Sequence, residues 1–180
     1  MNCYNEYLAE LGLIGAQVLL VPNDFIDRTQ YLHARQTLGR LLELGCVPII
    51  NENDSVATKE IRVGDNDNLA ALVSNLISAD TMILLADEEG LYTKDPLKDP
   101  NAELIPLVEK IDESTFAQAS GGMITKLEAA QIAVQSGTKT IIASATRPHV
   151  LLDLSQGKSI GTLFTETISS LESRKRWLLS

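Results

Sequence analysis

The stretches Cys46-Val-Pro-Ile-Ile-Asn-Glu-Asn-Asp54 and Gly64-Asp-Asn-Asp-Asn68 decide the fold of this chain. The apolar run before Asn51 is typical of a buried strand, and it ends at a turn signal. After Asn68, apolar residues recur at helical spacing. One polar cluster is therefore expected at the carboxyl end of a strand and the other at the start of a helix, where open α/β sheets bind ligands.

The rest of the chain repeats this alternation of apolar strands and helical stripes. Strands are predicted at 16–21, 47–50, 82–86 and 140–143, with helices around 4–11 and 34–42, from Leu69 and after Thr125. Acids, Gly90 and two prolines make 87–100 a predicted loop. Such alternation predicts βαβ units and a mainly parallel sheet covered by helices on both faces.

Composition narrows the class of protein. A chain of 180 residues is long enough for one domain with a core. Its formal charge of −9 argues against nucleic-acid binding, and no apolar run approaches the roughly 20 residues of a membrane span. The start does not resemble a signal peptide, and Cys3 and Cys46 are too few for a disulfide framework. A cytoplasmic setting is expected.

The two polar clusters resemble segments of the glutamate 5-kinases, a branch of the amino acid kinase family. The resemblance continues in order through Leu84-Leu-Ala-Asp87, Gly90-Leu-Tyr-Thr-Lys-Asp-Pro96, Gly121-Gly-Met-Ile-Thr-Lys126 and Gly161-Thr-Leu-Phe164. It implies a three-layer αβα sandwich with a mainly parallel sheet. It also implies ATP-dependent phosphorylation of the L-glutamate γ-carboxylate to L-glutamyl 5-phosphate, the first step of proline biosynthesis. ATP and Mg²⁺, a homo-oligomer and feedback inhibition by proline are implied as well.

The resemblance assigns the amino-acid site to Asn51, Asp54 and Asn66. Asp54 would pair with the ammonium group, and the asparagines would donate to carboxylate oxygens. The alternative is that these residues only form turns and a helix cap. Asp67 would organise the reacting groups rather than remove a proton, since a γ-carboxylate with a pKa of about 4.3 is already ionised at neutral pH.

The resemblance assigns the nucleotide site to later residues. Lys126 would neutralise charge during transfer, at the start of a helix expected near Thr125, where backbone N–H groups favour phosphate oxygens. The preceding members of this segment are Gly121, Gly122, Met123, Ile124 and Thr125. The spacing is not that of a Walker A loop, and on its own the segment is equally a plain boundary between loop and helix.

Three further residues are assigned to the nucleotide. The family has a Thr-Asp pair after the strand at 82–86, whereas this chain has Ala86 and Asp87, so Ala86 would contribute backbone only. Lys94 is available for a phosphate or ribose, with a solvated loop lysine as the alternative. Mg²⁺ binds largely through phosphates, so no protein metal ligand is assigned.

Both ends of the sequence depart from the family pattern. The family's first strand, glycine-rich turn and phosphate-contacting lysine find no match, so residues 1–167 are expected to form an N-terminally incomplete kinase domain. Residues 168–180 resemble a tail or linker toward a PUA domain. The loop before Gly121 is shorter than is usual. Two alternatives follow: a catalytically incomplete chain that only binds amino acid or nucleotide, or a related kinase acting on another acceptor.

Overall fold

The structure, a computed structural model, describes residues 1–53 and 65–165. Asp54 and the tail assigned to 168–180 therefore lie outside the described residues. The chain divides into two compact units, Met1–Ile77 and Ser78–Ser180. The first contains α1 (Asn2–Glu10), β1 (Ile14–Leu20), α2 (Asn23–Ile26), α3 (Arg28–Glu43), β2 (Cys46–Glu52) and α4 (Asn66–Ile77). The second contains β3 (Thr81–Ala86), β4 (Leu107–Val108), α5 (Glu113–Gln118), α6 (Gly122–Gln135), β5 (Lys139–Ser144), α7 (Val150–Ser155) and β6 (Thr162–Phe164).

The first unit is built on a βαβ arrangement. Strands β1 and β2 pair in parallel, from Ile14 beside Cys46 to Leu20 beside Glu52. Helix α3 crosses between them, and Asp27 caps it by accepting a hydrogen bond of 2.9 Å from the Gln30 backbone N–H. Helix α4 contacts both β2 and α3. The carboxyl end of β2 and the start of α4 thus belong to one packed unit, as the sequence predicts.

The second unit contains a four-stranded sheet in the order β3-β5-β6-β4. Strands β3 and β5 pair in parallel, as do β4 and β6, whereas β5 and β6 are antiparallel. With the β1–β2 pair, the described strand pairs are mainly parallel, so that prediction is confirmed. Helix α6 contacts β5, and the core includes Leu127, Ala130, Ile142 and Phe164, each fully buried.

Gly161 lets the last strand lie against β5. Its backbone has φ +74°, and a Cβ atom there would overlap the carbonyl oxygen of Ile142. Any larger residue would push β6 away from its neighbour. The glycine is therefore a packing requirement of this sheet.

The start of α6 differs from the prediction, which placed it near Thr125. The helix begins at Gly122 because the Ser120 and Gly121 carbonyls accept hydrogen bonds from the N–H groups of Met123 and Ile124, at 3.1 and 3.2 Å. Gly121 has φ +54° and ψ −131°, a conformation open essentially to glycine. The elements α2, α5, α7, β4 and β6 were not predicted, because helices of four to six residues and strands of two or three are too short to show a period.

No helix within the described ranges is long and apolar enough to span a bilayer.

Candidate functional site

The first polar cluster follows β2. Asn51 is exposed and Glu52 half-buried at the carboxyl end of the strand. The Asn53 backbone N–H donates a hydrogen bond of 2.8 Å to the carbonyl of Leu20, which extends the parallel ladder by one residue. The backbone is held by β1, so these polar side chains are presented at a defined edge of the pair.

The second polar cluster forms the start of α4. The Asp65 carboxylate accepts a hydrogen bond of 2.8 Å from the Asn68 backbone N–H, which caps the helix. Asn66 is exposed and Asp67 half-buried in the first turn. Capping is thus done by Asp65, whereas Asn66 is the residue of this turn assigned to the substrate and Asp67 the one assigned to organise the reacting groups.

In the second unit, Asp87 follows the carboxyl end of β3 and is exposed. The Ala86 carbonyl accepts a hydrogen bond of 2.7 Å from the Ala145 N–H, so this backbone group already serves the sheet. The Ser144 hydroxyl lies 2.9 Å from that of Thr146 and 3.5 Å from the Asp87 carbonyl. Ser144 is the register partner of Ala86, the position at which the family pattern has a threonine, and the sequence analysis did not single out either hydroxyl.

Thr162 anchors the loop after Asp87. Its hydroxyl accepts from the Leu91 N–H at 2.8 Å and donates to the Ile105 carbonyl at 2.6 Å. A Cβ atom at Gly90 would lie 2.5 Å from the same hydroxyl oxygen, so only glycine fits there. The loop predicted at 87–100 is confirmed, and Thr162 of β6 holds it at Leu91 and holds the segment that follows it at Ile105.

Two ion pairs bridge the tip of this loop, each between the lysine of one Lys-Asp dipeptide and the aspartate of the other. Lys94 Nζ lies 2.7 Å from Asp99 Oδ2, and Lys98 Nζ lies 2.9 Å from Asp95 Oδ2. The bond from Lys94 holds the pKa of Asp99 below its usual value, and the bond from Lys98 does the same for the pKa of Asp95. Lys94 is 61% exposed. The sequence signal for both pairs is the repeated Lys-Asp-Pro triplet over 94–100.

The nucleotide segment assigned to 121–126 forms the first turn of α6. No side chain caps this helix. Side chains placed on Gly121 or Gly122 would meet nothing within 4 Å, so the space beside the turn is open. Met123 is buried, Ile124 is exposed, and Thr125 and Lys126 are half-buried. The Thr125 hydroxyl donates a hydrogen bond of 3.0 Å to the carbonyl of Gly122.

A small cleft joins the loop tip to the segment before α6. Lys94 and Asp95 line one side, and Ser120 and Met123 line the other. The Ser120 hydroxyl approaches Asp95 at 3.5 Å. The cleft encloses about 40 Å³, far less than the several hundred Å³ of ligand pockets. The structure thus brings Lys94 and Met123 together, with the loop folded close against the start of α6.

Burial and the neighbouring Glu89 raise the pKa of Tyr92, whose hydroxyl lies 3.5 Å from that carboxylate. In the ranges that the structure describes, no three His, Cys, Asp or Glu side chains converge as a metal site would require.

Comparison with known proteins shows which family the chain resembles. A family model described as the amino acid kinase family matches residues 1–144. A glutamate 5-kinase of Chromobacterium violaceum is 50% identical over 185 residues, covering 98% of this chain and 50% of its own length. A glutamate 5-kinase of Deinococcus radiodurans is 47% identical over 189 residues, covering 100% and 52%. The chain thus spans about half the length of the curated relatives it matches.

Solved structures resemble the chain more distantly. An isopentenyl phosphate kinase has a TM-score of 0.60 at 20% identity, over 91% of this chain and 66% of its own. The UMP kinase of Ureaplasma parvum has a TM-score of 0.64 at 15% identity, over 91% and 65%. At such identities the likeness concerns the α/β fold alone.

Proposed function

We propose that this chain, which belongs to the amino acid kinase family, forms part of an enzyme that phosphorylates the γ-carboxylate of L-glutamate with ATP to give L-glutamyl 5-phosphate. One observation carries the proposal. The two polar clusters that resemble the glutamate 5-kinases, at 51–53 and 65–68, lie at the carboxyl end of β2 and the start of α4, elements that contact each other. The identity of about half to named glutamate 5-kinases supports the choice of acceptor.

The proposed reaction needs no general base. The γ-carboxylate is ionised at neutral pH, since its pKa is about 4.3, and it attacks the γ-phosphorus atom as it stands. The difficulty is electrostatic, because an anion must approach a triphosphate in a chain of net charge −9. Catalysis therefore rests on alignment and on positive groups placed around the transferring phosphoryl group.

We assign the positive groups to the second unit. Lys126 follows the first turn of α6, where the macrodipole and the backbone N–H groups favour phosphate oxygens. Asp67 would organise the reacting groups, and Asn51 and Asn66 would hold the amino acid. Mg²⁺ bound to ATP would neutralise phosphate charge, and it requires few protein ligands.

The start of α6 fits a nucleotide phosphate. Gly122 has an ordinary backbone conformation and open space at its Cβ position. Nothing in the part of the chain that the structure describes therefore requires glycine there, whereas close approach of a phosphate to the backbone would. The neighbouring cleft, in contrast, is too small for a nucleotide until the loop at 94–99 moves away. We propose that nucleotide binding breaks the Lys94–Asp99 and Lys98–Asp95 ion pairs of that loop.

A second candidate is a chain that binds amino acid or nucleotide without catalysing transfer. The observation that favours it is the length, since the chain spans about half of the curated relatives. A third is another amino acid kinase, because solved kinases of UMP and isopentenyl phosphate share the fold.

One assay separates these candidates. ADP release from Mg-ATP would be measured with the 180-residue chain alone, then with L-glutamate, L-aspartate, N-acetylglutamate or UMP. Release that depends on L-glutamate supports the proposal, and release that depends on another acceptor supports the third candidate. Glutamate binding by calorimetry without ADP release supports the second.

We also propose a homo-oligomer and feedback inhibition by proline at or near the glutamate site. For the oligomer, helix α3 offers a self-complementary face. Arg35 and Glu43 stand at equal distances before and after Gly39, so a second copy laid antiparallel across Gly39 would bring Arg35 to Glu43, which Arg40 of its own helix already contacts at 2.9 Å. Leu32 on this helix is 50% exposed. Sedimentation equilibrium tests the oligomer, and proline titration of the ADP assay tests inhibition.

Free Cys3 and Cys46 support a reducing, cytoplasmic setting for the enzyme.

A further inference from the structure

Two hydroxyl groups lie together at the carboxyl end of β5. The side-chain oxygens of Ser144 and Thr146 are 2.9 Å apart, and the Ser144 oxygen also accepts a hydrogen bond of 3.3 Å from the Thr146 backbone N–H. Ser144 is buried, with 6% of its surface exposed, whereas Thr146 is exposed. The inner hydroxyl therefore positions the outer one, and the outer one is within reach of a ligand.

The hydrogen bonds of this pair let the outer hydroxyl either donate or accept. A hydroxyl group has one proton and two lone pairs. When Ser144 donates to the Asp87 backbone carbonyl, 3.5 Å away, Thr146 donates to Ser144 and can accept from a ligand. When Ser144 donates to Thr146 instead, the Thr146 proton can be donated to a ligand. A hydroxyl group of a ligand matches both states, because it also donates and accepts.

Asp87 lies beside the hydroxyl pair. Ala86 and Ser144 are register partners in the parallel β3–β5 ladder, so Asp87 directly follows β3 at the level where β5 ends. Asp87 is exposed, as Thr146 is. An ionised carboxylate only accepts hydrogen bonds. The edge thus offers a carboxylate and a hydroxyl side by side, a combination that suits the two neighbouring hydroxyls of a sugar.

The start of α6 lies at the same edge of this sheet. Residues 136–138 join α6 to β5 in a short turn, so the helix and the strand run in opposite directions. The 14 residues of α6 span about 21 Å at 1.5 Å per residue, and the six of β5 span about 20 Å at 3.3 Å per residue. Because the two elements contact each other and have similar lengths, the first turn of α6 is level with Ser144.

Charge decides which part of a nucleotide suits each place. The first turn of α6 favours phosphate oxygens through its backbone N–H groups. Asp87, Glu88 and Glu89 are consecutive and exposed at the end of β3, and their negative charges repel a phosphate. An uncharged, hydroxylated part of the nucleotide fits beside them, and in ATP that part is the ribose.

We infer that the Thr146 hydroxyl binds a ribose hydroxyl of the nucleotide, with Ser144 as the residue that positions it. The inference rests on the proposed function and adds a specificity residue to the nucleotide site. Asp87, already assigned to the nucleotide, accepts a hydrogen bond from the same pair of sugar hydroxyls. The chain therefore prefers ATP to a nucleotide whose sugar has no hydroxyl groups.

The test compares Mg-ATP with the magnesium complex of 2′,3′-dideoxy-ATP, which lacks both ribose hydroxyls. Calorimetry would give both dissociation constants for the unaltered 180-residue chain and for Thr146→Val, which keeps the shape and removes the hydroxyl. We expect the ATP constant to rise about fivefold and the dideoxy constant to stay the same, as for one lost hydrogen bond.

Two further variants sharpen the test. Ser144→Ala removes the positioning hydroxyl and should raise the ATP constant about threefold, again without changing the dideoxy constant. A merely structural role of Ser144 would weaken both nucleotides equally. Thr81→Val is the matched control, because Thr81 is an exposed threonine at the amino end of β3, the opposite edge of the same sheet. It should change neither constant.

Each result decides the inference. Undiminished preference for ATP in Thr146→Val overturns it, as does an equal weakening of both nucleotides or a loss of preference in Thr81→Val. If circular dichroism shows that Thr146→Val does not fold, Thr146→Ser and Thr146→Ala decide, because the first must keep the preference and the second must lose it. An unaltered chain that binds neither nucleotide overturns the proposed function, and the inference with it. Equal binding of both, with glutamate-dependent ADP release intact, overturns the inference alone.

Discussion

Polar and charged side chains are paired differently in the first turn of α4 and in the loop tip at 94–99. In α4, Asp65 caps the helix, and the buried side-chain carbonyl of Asn68 has no hydrogen-bond partner. At the loop tip, Lys94 and Lys98 are each bound by an aspartate of the same loop. The first region leaves a polar side-chain atom unpaired, whereas the second pairs its charges internally.

We expect the replacement of Asp67 to give the largest effect on activity. Asp67→Ala removes the proposed organiser of the phosphoryl site, and we expect glutamate-dependent ADP release to fall about 10²- to 10³-fold, as when other preorganised electrostatic groups are removed. Asp65→Ala in the same turn should instead lower the free energy of unfolding by about 1 kcal/mol through loss of the cap. Similar activity losses in the two variants would contradict separate roles.

The paired glycines Gly121 and Gly122, at the start of α6, should give the next largest effect. Gly122→Ala should raise the dissociation constant of Mg-ATP about tenfold without lowering the melting temperature, because the fold has room for the methyl group but a phosphate would not. Gly121→Ala should destabilise the protein by about 1–3 kcal/mol because of its backbone conformation. Unchanged nucleotide affinity in a folded Gly122→Ala variant would show that no phosphate lies against this turn.

Removing the ion-pair partner of Lys94 should leave this lysine available to an anion. Asp99→Asn removes the partner charge, and we expect Mg-ATP to bind up to about fivefold more tightly at low salt, with the gain fading as salt is added. Asp153→Asn is the matched control, since Asp153 bonds Lys158 at 2.6 Å and does not line the cleft. An equal gain in both variants would reflect net charge alone.

Titration of the loop carboxylates should give the smallest effect. Because the pKa values of Asp95 and Asp99 are lowered in the folded chain, their ion pairs stabilise it above about pH 4 and are lost as the pH falls further. Carboxyl resonances followed by NMR should show both midpoints below that of an ordinary aspartate. Lys94→Met should return the Asp99 midpoint toward normal and leave that of Asp95 in place. A joint shift would mean that the two pairs act as one network.

Sequence reasoning succeeded where periodicity was long. The strand before Asn51 and the helix after Asn68 carry enough apolar residues to show their period, and both are present as predicted. The start of α6 was misplaced because backbone geometry at Gly121, rather than any apolar pattern, decides it.

Contacts between distant residues could not be predicted. The antiparallel strand β6 has three residues, too few for a pattern. The anchoring of Leu91 by Thr162 joins positions 71 residues apart, and no local signal reports it. The sequence did not distinguish Asn68 from the polar residues beside it, because whether its side-chain oxygen finds a hydrogen-bond partner depends on its surroundings in the fold.

The Thr162 anchor has a consequence for synthesis on the ribosome. The loop that carries Lys94 cannot be fastened until a residue 71 positions later has been added and has left the exit tunnel. At about 5–20 residues per second, synthesis of those 71 residues alone takes roughly 4–14 seconds after Leu91 is made. During this interval the first unit is free to fold, while the hydrogen bond that joins the loop bearing Lys94 to Thr162 has not yet formed. A nascent chain stalled before Thr162 should therefore expose the loop to proteases that the finished protein resists.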